Sequence, residues 1–257
     1  MEQLQYQLKS IRLSGMANAL STRLQEARAN ELPHQDFLTN LVQDELERRQ
    51  QNLLNRRLKA ARFPEQKTLD EFDFTFNPGL NKRFVLDLAS CRFVVKSQNA
   101  LMVGPPGVGK SHLAIAVGIA AIHHGYAVLY RSIFDLVEEL AEAQMLGERP
   151  ALIKKLVKPD LLILDEFGMR NLADNAAEDL LEIFHRRYHK GSCLIATNRP
   201  IEDWGKLLGD TAATSAILDR LLEDAFLLKI TGRSYRLRTM TQKDENQKTV
   251  AKEQAKS

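Results

Sequence analysis

The sequence predicts an α/β protein: a five-stranded parallel sheet sandwiched by helices, behind a small all-helical N-terminal domain. Three observations carry that prediction. From about residue 78 onward, five short apolar runs alternate with helix-patterned stretches, which is how an α/β sheet is written. The first four runs are nearly continuous in apolar residues, as strands buried on both faces must be. Residues 1 to about 70, by contrast, carry only helical periodicity. The 257 residues suffice for one large domain or two unequal ones, and 44% hydrophobic content is enough for a packed core.

In chain order, Leu4, Leu8 and Ile11 share a helical face, and Met16, Leu20 and Leu24 continue a stripe after Gly15. Residues 30–33 break it. Phe37, Leu38, Leu41, Val42, Leu46, Leu53, Leu54 and Leu58 fit a longer amphipathic helix ending before Phe63-Pro64. Its 48–62 stretch holds Arg48, Arg49, Arg56, Arg57, Lys59 and Arg62 with no acid. Such a run is either a solvated face or a surface answered by DNA or an acidic partner. Phe72-Asp73-Phe74-Thr75-Phe76 reads as an extended connector whose aromatics pin it to the next domain, with Asn77 as an N-cap and Pro78 at the first helical position. The expected division is therefore 1–70 helical, 71–238 α/β, and 239–257 a polar tail too poor in apolar residues to fold. The expected strands are 100–103, 127–131, 161–165, 193–197 and 226–230; the helices are 110–123, 133–146, about 175–189 and about 212–224.

One loop organises this second domain. Gly104-Pro105-Pro106-Gly107-Val108-Gly109-Lys110-Ser111 follows the first strand and opens a helix, the strand–Gly-x4-Gly-Lys-Ser–helix arrangement of a P-loop. Its glycines let backbone N–H groups turn inward as a nest for phosphate oxygens, and the helix N-terminus adds partial positive charge. Lys110 would reach the β- and γ-phosphates, the Ser111 hydroxyl would ligate Mg²⁺, and His112 follows within the nucleotide-binding stretch.

Leu161-Leu162-Ile163-Leu164-Asp165-Glu166 supplies the second signal, an apolar strand delivering two acids at its carboxyl end, where open α/β sheets bind ligands. Asp165 can hold Mg²⁺ beside Ser111, and Glu166 is placed to take a proton from an attacking water. Asn198 ends the fourth strand. It would sit beside Asp165 and contact the γ-phosphate or the water, or it would merely form the turn before Arg199-Pro200. Arg220, by spacing alone, suits a surface salt bridge with Asp219 or Glu223.

Together, Gly104–Ser111, Leu161–Glu166, Ala196–Asn198 and Ile217–Leu222 resemble the AAA+ ATPases. Arg12-Leu13-Ser14-Gly15-Met16, Phe72-Asp73-Phe74 and Gly232-Arg233-Ser234-Tyr235-Arg236 further resemble the IstB-type transposition helper ATPases, a group similar to the DnaC helicase loaders. The resemblance implies a sheet with the Asp-Glu strand beside the P-loop strand, ATP and Mg²⁺ as cofactors, and a homo-oligomer with nucleotide at subunit interfaces. In it Lys110, Ser111, Asp165 and Glu166 match the two Walker motifs, Asn198 matches sensor 1, and Arg220 matches an arginine finger acting in trans. Arg233 and Arg236 fall where a second sensor or a DNA contact would lie. The implied role is to assemble with ATP on duplex DNA and help a cognate transposase engage its target; a helicase loader is the alternative. An additional helix between 131 and 158 would face the DNA, making Arg149, Lys154, Lys155, Lys158 and the later Arg170 candidate contacts, although lysines near a helix C-terminus also serve its dipole.

Other classes fit less well. No run is apolar for long enough to span a bilayer, and the first residues lack a signal-peptide layout, so a cytoplasmic protein without membrane contact is expected. Cys91 and Cys193 have no metal-like spacing and read as reduced, buried residues. His185 and His189 share a helical face but lack a third ligand. A small-molecule kinase would need an arginine-rich lid that is not seen, and no nuclease-type acidic triad is evident. The net charge of +3 is too mild to argue for nucleic acid.

Overall fold

The computed structural model describes residues 1–169, 176–205 and 211–235. Arg170, Arg236 and the predicted tail from 239 lie outside the described residues. The chain divides into two compact units, Met1–Arg57 and Leu58–Ser257. The first unit thus ends upstream of the change in sequence pattern near residue 70.

In the first unit, α1 (Glu2–Ser10) packs on α2 (Ser14–Ala29), followed by α3 (His34–Ala61), which runs on into the second unit. Glu45 of α3 is buried and accepts the Gly15 N–H at 2.5 Å and the Met16 N–H at 3.3 Å, satisfying donors that the first turn of α2 leaves open. Arg23 forks onto Asp44 with two 2.8 Å bonds and holds that carboxyl below the usual carboxylate range. This contribution is present above the ordinary aspartate pKa and is lost as pH falls through the lowered one. Of the six basic residues at 48–62, Arg49 is answered by Glu45 and Arg62 by Glu139; Arg48, Arg56 and Lys59 stand exposed.

The second unit forms one parallel sheet of β1 (Ala100–Val103), β2 (Val128–Ser132), β3 (Leu161–Phe167), β4 (Ser192–Thr197) and β5 (Phe226–Lys229), in the order β2-β3-β4-β1-β5. This corrects the implied strand neighbours: the Asp-Glu strand does not touch the P-loop strand, because β4 lies between them. The chain leaves β3, crosses over through α9 (Ala176–Arg187) and lays β4 beside it, the usual adjacency of consecutive parallel strands. Asn198, at the end of β4, therefore separates the two halves of the site.

Alternation assigns the faces. On β3, Ile163 meets α6 (Lys110–His123) at Gly118, where a Cβ would lie 2.7 Å from the Ile163 Cδ1, so only glycine permits the approach. Leu162 and Leu164 point to the opposite face. There they join a core built with α7 (Ile133–Met145), α8 (Arg149–Val157), α9 and α10 (Thr211–Leu222). Asp165 thus shares the α6 face with Ile163. A register shift follows between Leu164 and Phe167, with Glu166 in the left-handed region at φ 59°. The extra residue resets the alternation: Phe167 enters the opposite core against Trp204, 4.3 Å between ring centroids, while Glu166 is turned out to solvent.

One local reading changes. Asn77 does not cap a helix; Asn81 does, accepting the Phe84 N–H at 3.1 Å to start α4 (Lys82–Ala89). Asn77 is instead buried, and its oxygen takes the Arg233 N–H at 3.2 Å from the chain beyond β5. The basic segment after α7 proves to be a helix of its own, α8, opened by Pro150 in its first turn. A short turn of helix, α5 (Arg92–Val95), precedes β1.

Candidate active site

The P-loop leaves β1 with the Gly104 N–H bonded to the Thr197 carbonyl of β4 at 3.2 Å, and it opens α6. Gly107 has φ 80° and Gly109 φ 99°, conformations that L side chains rarely adopt, and a Cβ on Gly107 would lie 2.1 Å from the Ser234 Oγ. Val108 is buried and anchors the loop, while Pro105 and Pro106 are exposed. The Lys110 ammonium folds back onto the Gly104 and Pro105 carbonyls, 2.8 Å from each. It is thus held inside the curve of the loop, where an anion would meet it. Ser111 begins the first turn of α6, half-buried.

Two segments flank the loop. His112 bonds the Thr68 carbonyl at 2.7 Å and meets the Phe72 ring edge-on at 5.1 Å, and Phe72 in turn lies against Gly109. On the other side the Tyr235 N–H donates to the Gly107 carbonyl at 2.9 Å, and its ring meets Phe76 at 5.1 Å. The aromatics of the connector therefore pin it to the P-loop itself. Arg233 is exposed, fixed at its backbone by Asn77.

Asp165 is 2% exposed, with one oxygen accepting the Glu166 N–H at 2.7 Å and the other the Tyr130 hydroxyl at 2.8 Å. Each oxygen keeps acceptor capacity for a further partner. Burial, and then the Asp165 charge, pushes the Tyr130 phenol far above its ordinary range. Among the described residues no three His, Cys, Asp or Glu side chains gather as a metal cage. The oxygen donors present, a hydroxyl and one carboxylate, suit Mg²⁺ shared with phosphates rather than caged by protein.

Asn198, half-buried, has a side-chain oxygen that is enclosed and meets no hydrogen-bond partner. The turn that it was weighed against is made by its neighbour, since the Arg199 N–H bonds the Thr197 hydroxyl at 3.1 Å. A buried acceptor left open costs about 1–3 kcal/mol, so its place beside the Asp-Glu strand is held against a penalty.

Arg220 lies elsewhere. Its carbonyl takes a 3.3 Å bond from Asn99, the residue before β1, so it stands near the strand starts, at the opposite edge from the P-loop. Its guanidinium bonds the Ala216 carbonyl at 2.8 Å, not Asp219 or Glu223.

The basic candidates separate. Arg149 is occupied: it bonds Asp179 and Glu182 of α9, with contacts of 2.5–2.8 Å that raise its pKa, and so ties α8 to α9 instead of offering a charge. Lys154, Lys155 and Lys158 are exposed at the end of α8, which leads to the start of β3. Both cysteines are free and buried; burial pushes the Cys91 thiol up to about 11 and raises Cys193, which disfavours the nucleophilic thiolate at both. Sequence reasoning missed Tyr130 and Arg187. Only the strand order and the α8–α9 packing give them partners.

Among the described residues no helix is long and apolar enough to cross a membrane. The replication initiator DnaA, solved with AMPPCP and single-stranded DNA, has a similar fold: TM-score 0.57 at 21% identity, covering 72% of this chain and 56% of that one. A protein of Pseudomonas aeruginosa named for ATP binding in insertion sequence IS21 is 37% identical over 93% of this chain and 90% of its own. A counterpart of insertion sequence IS5376 in Geobacillus stearothermophilus is 34% identical over 93% and 95%. The family described as IstB-like ATP binding protein matches residues 6–243. With its P-loop, its Asp-Glu strand end and that match over nearly its whole length, the chain belongs to the IstB-like ATP-binding proteins.

Proposed function

We propose that this ATPase assembles on duplex DNA in its nucleotide-bound form and helps the transposase of its own insertion sequence select and engage target DNA. One observation carries the reading. The P-loop, the Asp165–Glu166 pair and the unsatisfied Asn198 oxygen meet at one sheet edge, in a chain whose relatives are named for ATP binding in insertion sequences.

The backbone N–H groups of Gly107–Gly109 and the start of α6 receive the phosphates. Lys110 exchanges its two loop carbonyls for β- and γ-phosphate oxygens. Ser111 and Asp165 would hold Mg²⁺, which when bound with the nucleotide draws charge from the β- and γ-phosphates. Glu166, turned outward by the bulge, accepts the proton of the attacking water, and the products are ADP and inorganic phosphate. Asn198 orients that water or the γ-phosphate. Arg220 of a neighbouring copy completes the site, which makes the active form an oligomer. Lys154, Lys155, Lys158 and Arg233 offer exposed charges for phosphate contacts with duplex DNA. The insertion-sequence relatives favour transposition over helicase loading.

The test is retention of duplex DNA by the purified chain with and without ATP, beside Lys110→Ala. The wild type should form a large DNA complex only with ATP, and the variant should form none. Equal retention and equal stoichiometry without nucleotide would overturn the reading.

A further inference from the structure

We propose that Tyr130 is the positioning residue of the cation-binding carboxylate, and that its hydroxyl sets how tightly the nucleotide site takes Mg²⁺. The inference rests on the reading of Asp165 as a cation ligand.

Tyr130 sits in β2 opposite Ile163, and Ser132 sits opposite Asp165, so Tyr130 and Asp165 are diagonal neighbours on the α6 face of the sheet. A diagonal cross-strand neighbour lies within reach of a long aromatic side chain. The phenol spans the gap and donates to the outer carboxylate oxygen at 2.8 Å. Its direction is fixed, because an ionised carboxylate has no hydrogen to give. Tyr130 is 7% exposed, and its ring is braced by the edge of Phe63 at 6.0 Å, which itself lies against Gly118 of α6. The hydroxyl therefore cannot swing out to solvent without dismantling this packing.

The other oxygen of Asp165 is held by the Glu166 N–H at 2.7 Å, supplied by the left-handed residue of the bulge. With one donor on each oxygen, the carboxylate is fixed in plane and rotation before any cation arrives, and one lone pair on each oxygen stays open. Remove the phenol donor and a single backbone bond remains, about which the carboxylate can turn. A buried hydroxyl is costly unless it is used, and an apolar ring would fill this strand position as well. The oxygen is thus present for Asp165. Partners of this kind, which orient a metal ligand from behind, typically change metal affinity by about 10–100-fold when removed.

The experiment uses the full chain and a fluorescent, non-hydrolysable ATP analogue, with Mg²⁺ titrated into wild type, Tyr130→Phe, Asp165→Asn and the double variant. Tyr130→Phe deletes one oxygen and keeps the ring against Phe63; a melting curve of each variant accompanies the titration. The Mg²⁺ midpoint should rise about 10-fold in Tyr130→Phe, with affinity for the metal-free analogue unchanged. In the Asp165→Asn background the same change should add nothing. An unmoved midpoint with a lowered melting temperature would make Tyr130 merely structural and overturn the inference, as would a further shift in the double variant. If Asp165→Asn itself leaves the midpoint in place, the cation reading of Asp165 fails, which is a separate result.

Discussion

The two edges of this sheet are built on opposite principles. At the strand starts, polar groups are spent largely on one another, with the Arg187 Nε alone among that arginine's nitrogens left without a partner. Arg187, 1% exposed, donates to five backbone carbonyls, those of Leu156, Val157, Pro159, Asp160 and Ser192. Asn99 bonds the Cys193 N–H and the Arg220 and Leu221 carbonyls, and Asp160 takes the Ala127 N–H. At the strand ends, the same sheet leaves capacity open: an unsatisfied Asn198 oxygen, lone pairs on Asp165, and a lysine resting on its own loop carbonyls. One edge holds itself together; the other is shaped to hold something else. Stability and function can therefore be broken separately.

Glu166→Gln gives the largest effect at the open edge. It should slow hydrolysis by about 10²–10⁴-fold, the usual worth of a general base, while ATP stays bound and the fold is intact; unchanged single-turnover rates would remove Glu166 from the mechanism. At the strand starts Arg187→Met should do the reverse. Stranding several buried carbonyls should cost about 3–5 kcal/mol of stability in denaturant unfolding, with nucleotide affinity preserved wherever the protein is folded. A loss of affinity without a loss of stability would break the comparison. The smaller effects concern α8. Replacing both Lys154 and Lys155 by alanine should reduce the salt dependence of DNA binding by about two phosphate contacts. Arg149→Ala should cost about 1 kcal/mol of stability through its lost pairs with Asp179 and Glu182 and leave DNA affinity and its salt slope unchanged.

What was legible in the sequence followed from local chemistry. The P-loop, the first strand and α6 are written in consecutive residues, and β1 and α6 fall where the apolar run and the helical pattern put them. The Asp-Glu pair could be read because four apolar residues precede it. Strand order is not local. Nothing within 161–166 reveals that β4 intervenes before β1, and the implied adjacency was wrong for that reason. The same blindness hid Tyr130, an unremarkable strand residue until β2 is laid beside β3. It also hid the occupation of Arg149, whose acidic partners lie about thirty residues away on another helix. The bulge at Glu166 was unreadable too, since glutamate is not a residue that advertises a left-handed backbone.

Arg220 stands at the strand starts and the P-loop lysine at the strand ends. On the proposed reading, in which Arg220 completes the site, the two edges come from two different copies. The most direct measurement is ATP hydrolysis on duplex DNA by Lys110→Ala and Arg220→Ala, each alone and then mixed. Each variant alone should be inactive, and the mixture should regain part of the wild-type turnover, because an intact P-loop from one copy meets an intact arginine from the other. A mixture as inactive as its components, with both variants folded and assembled, would contradict the account.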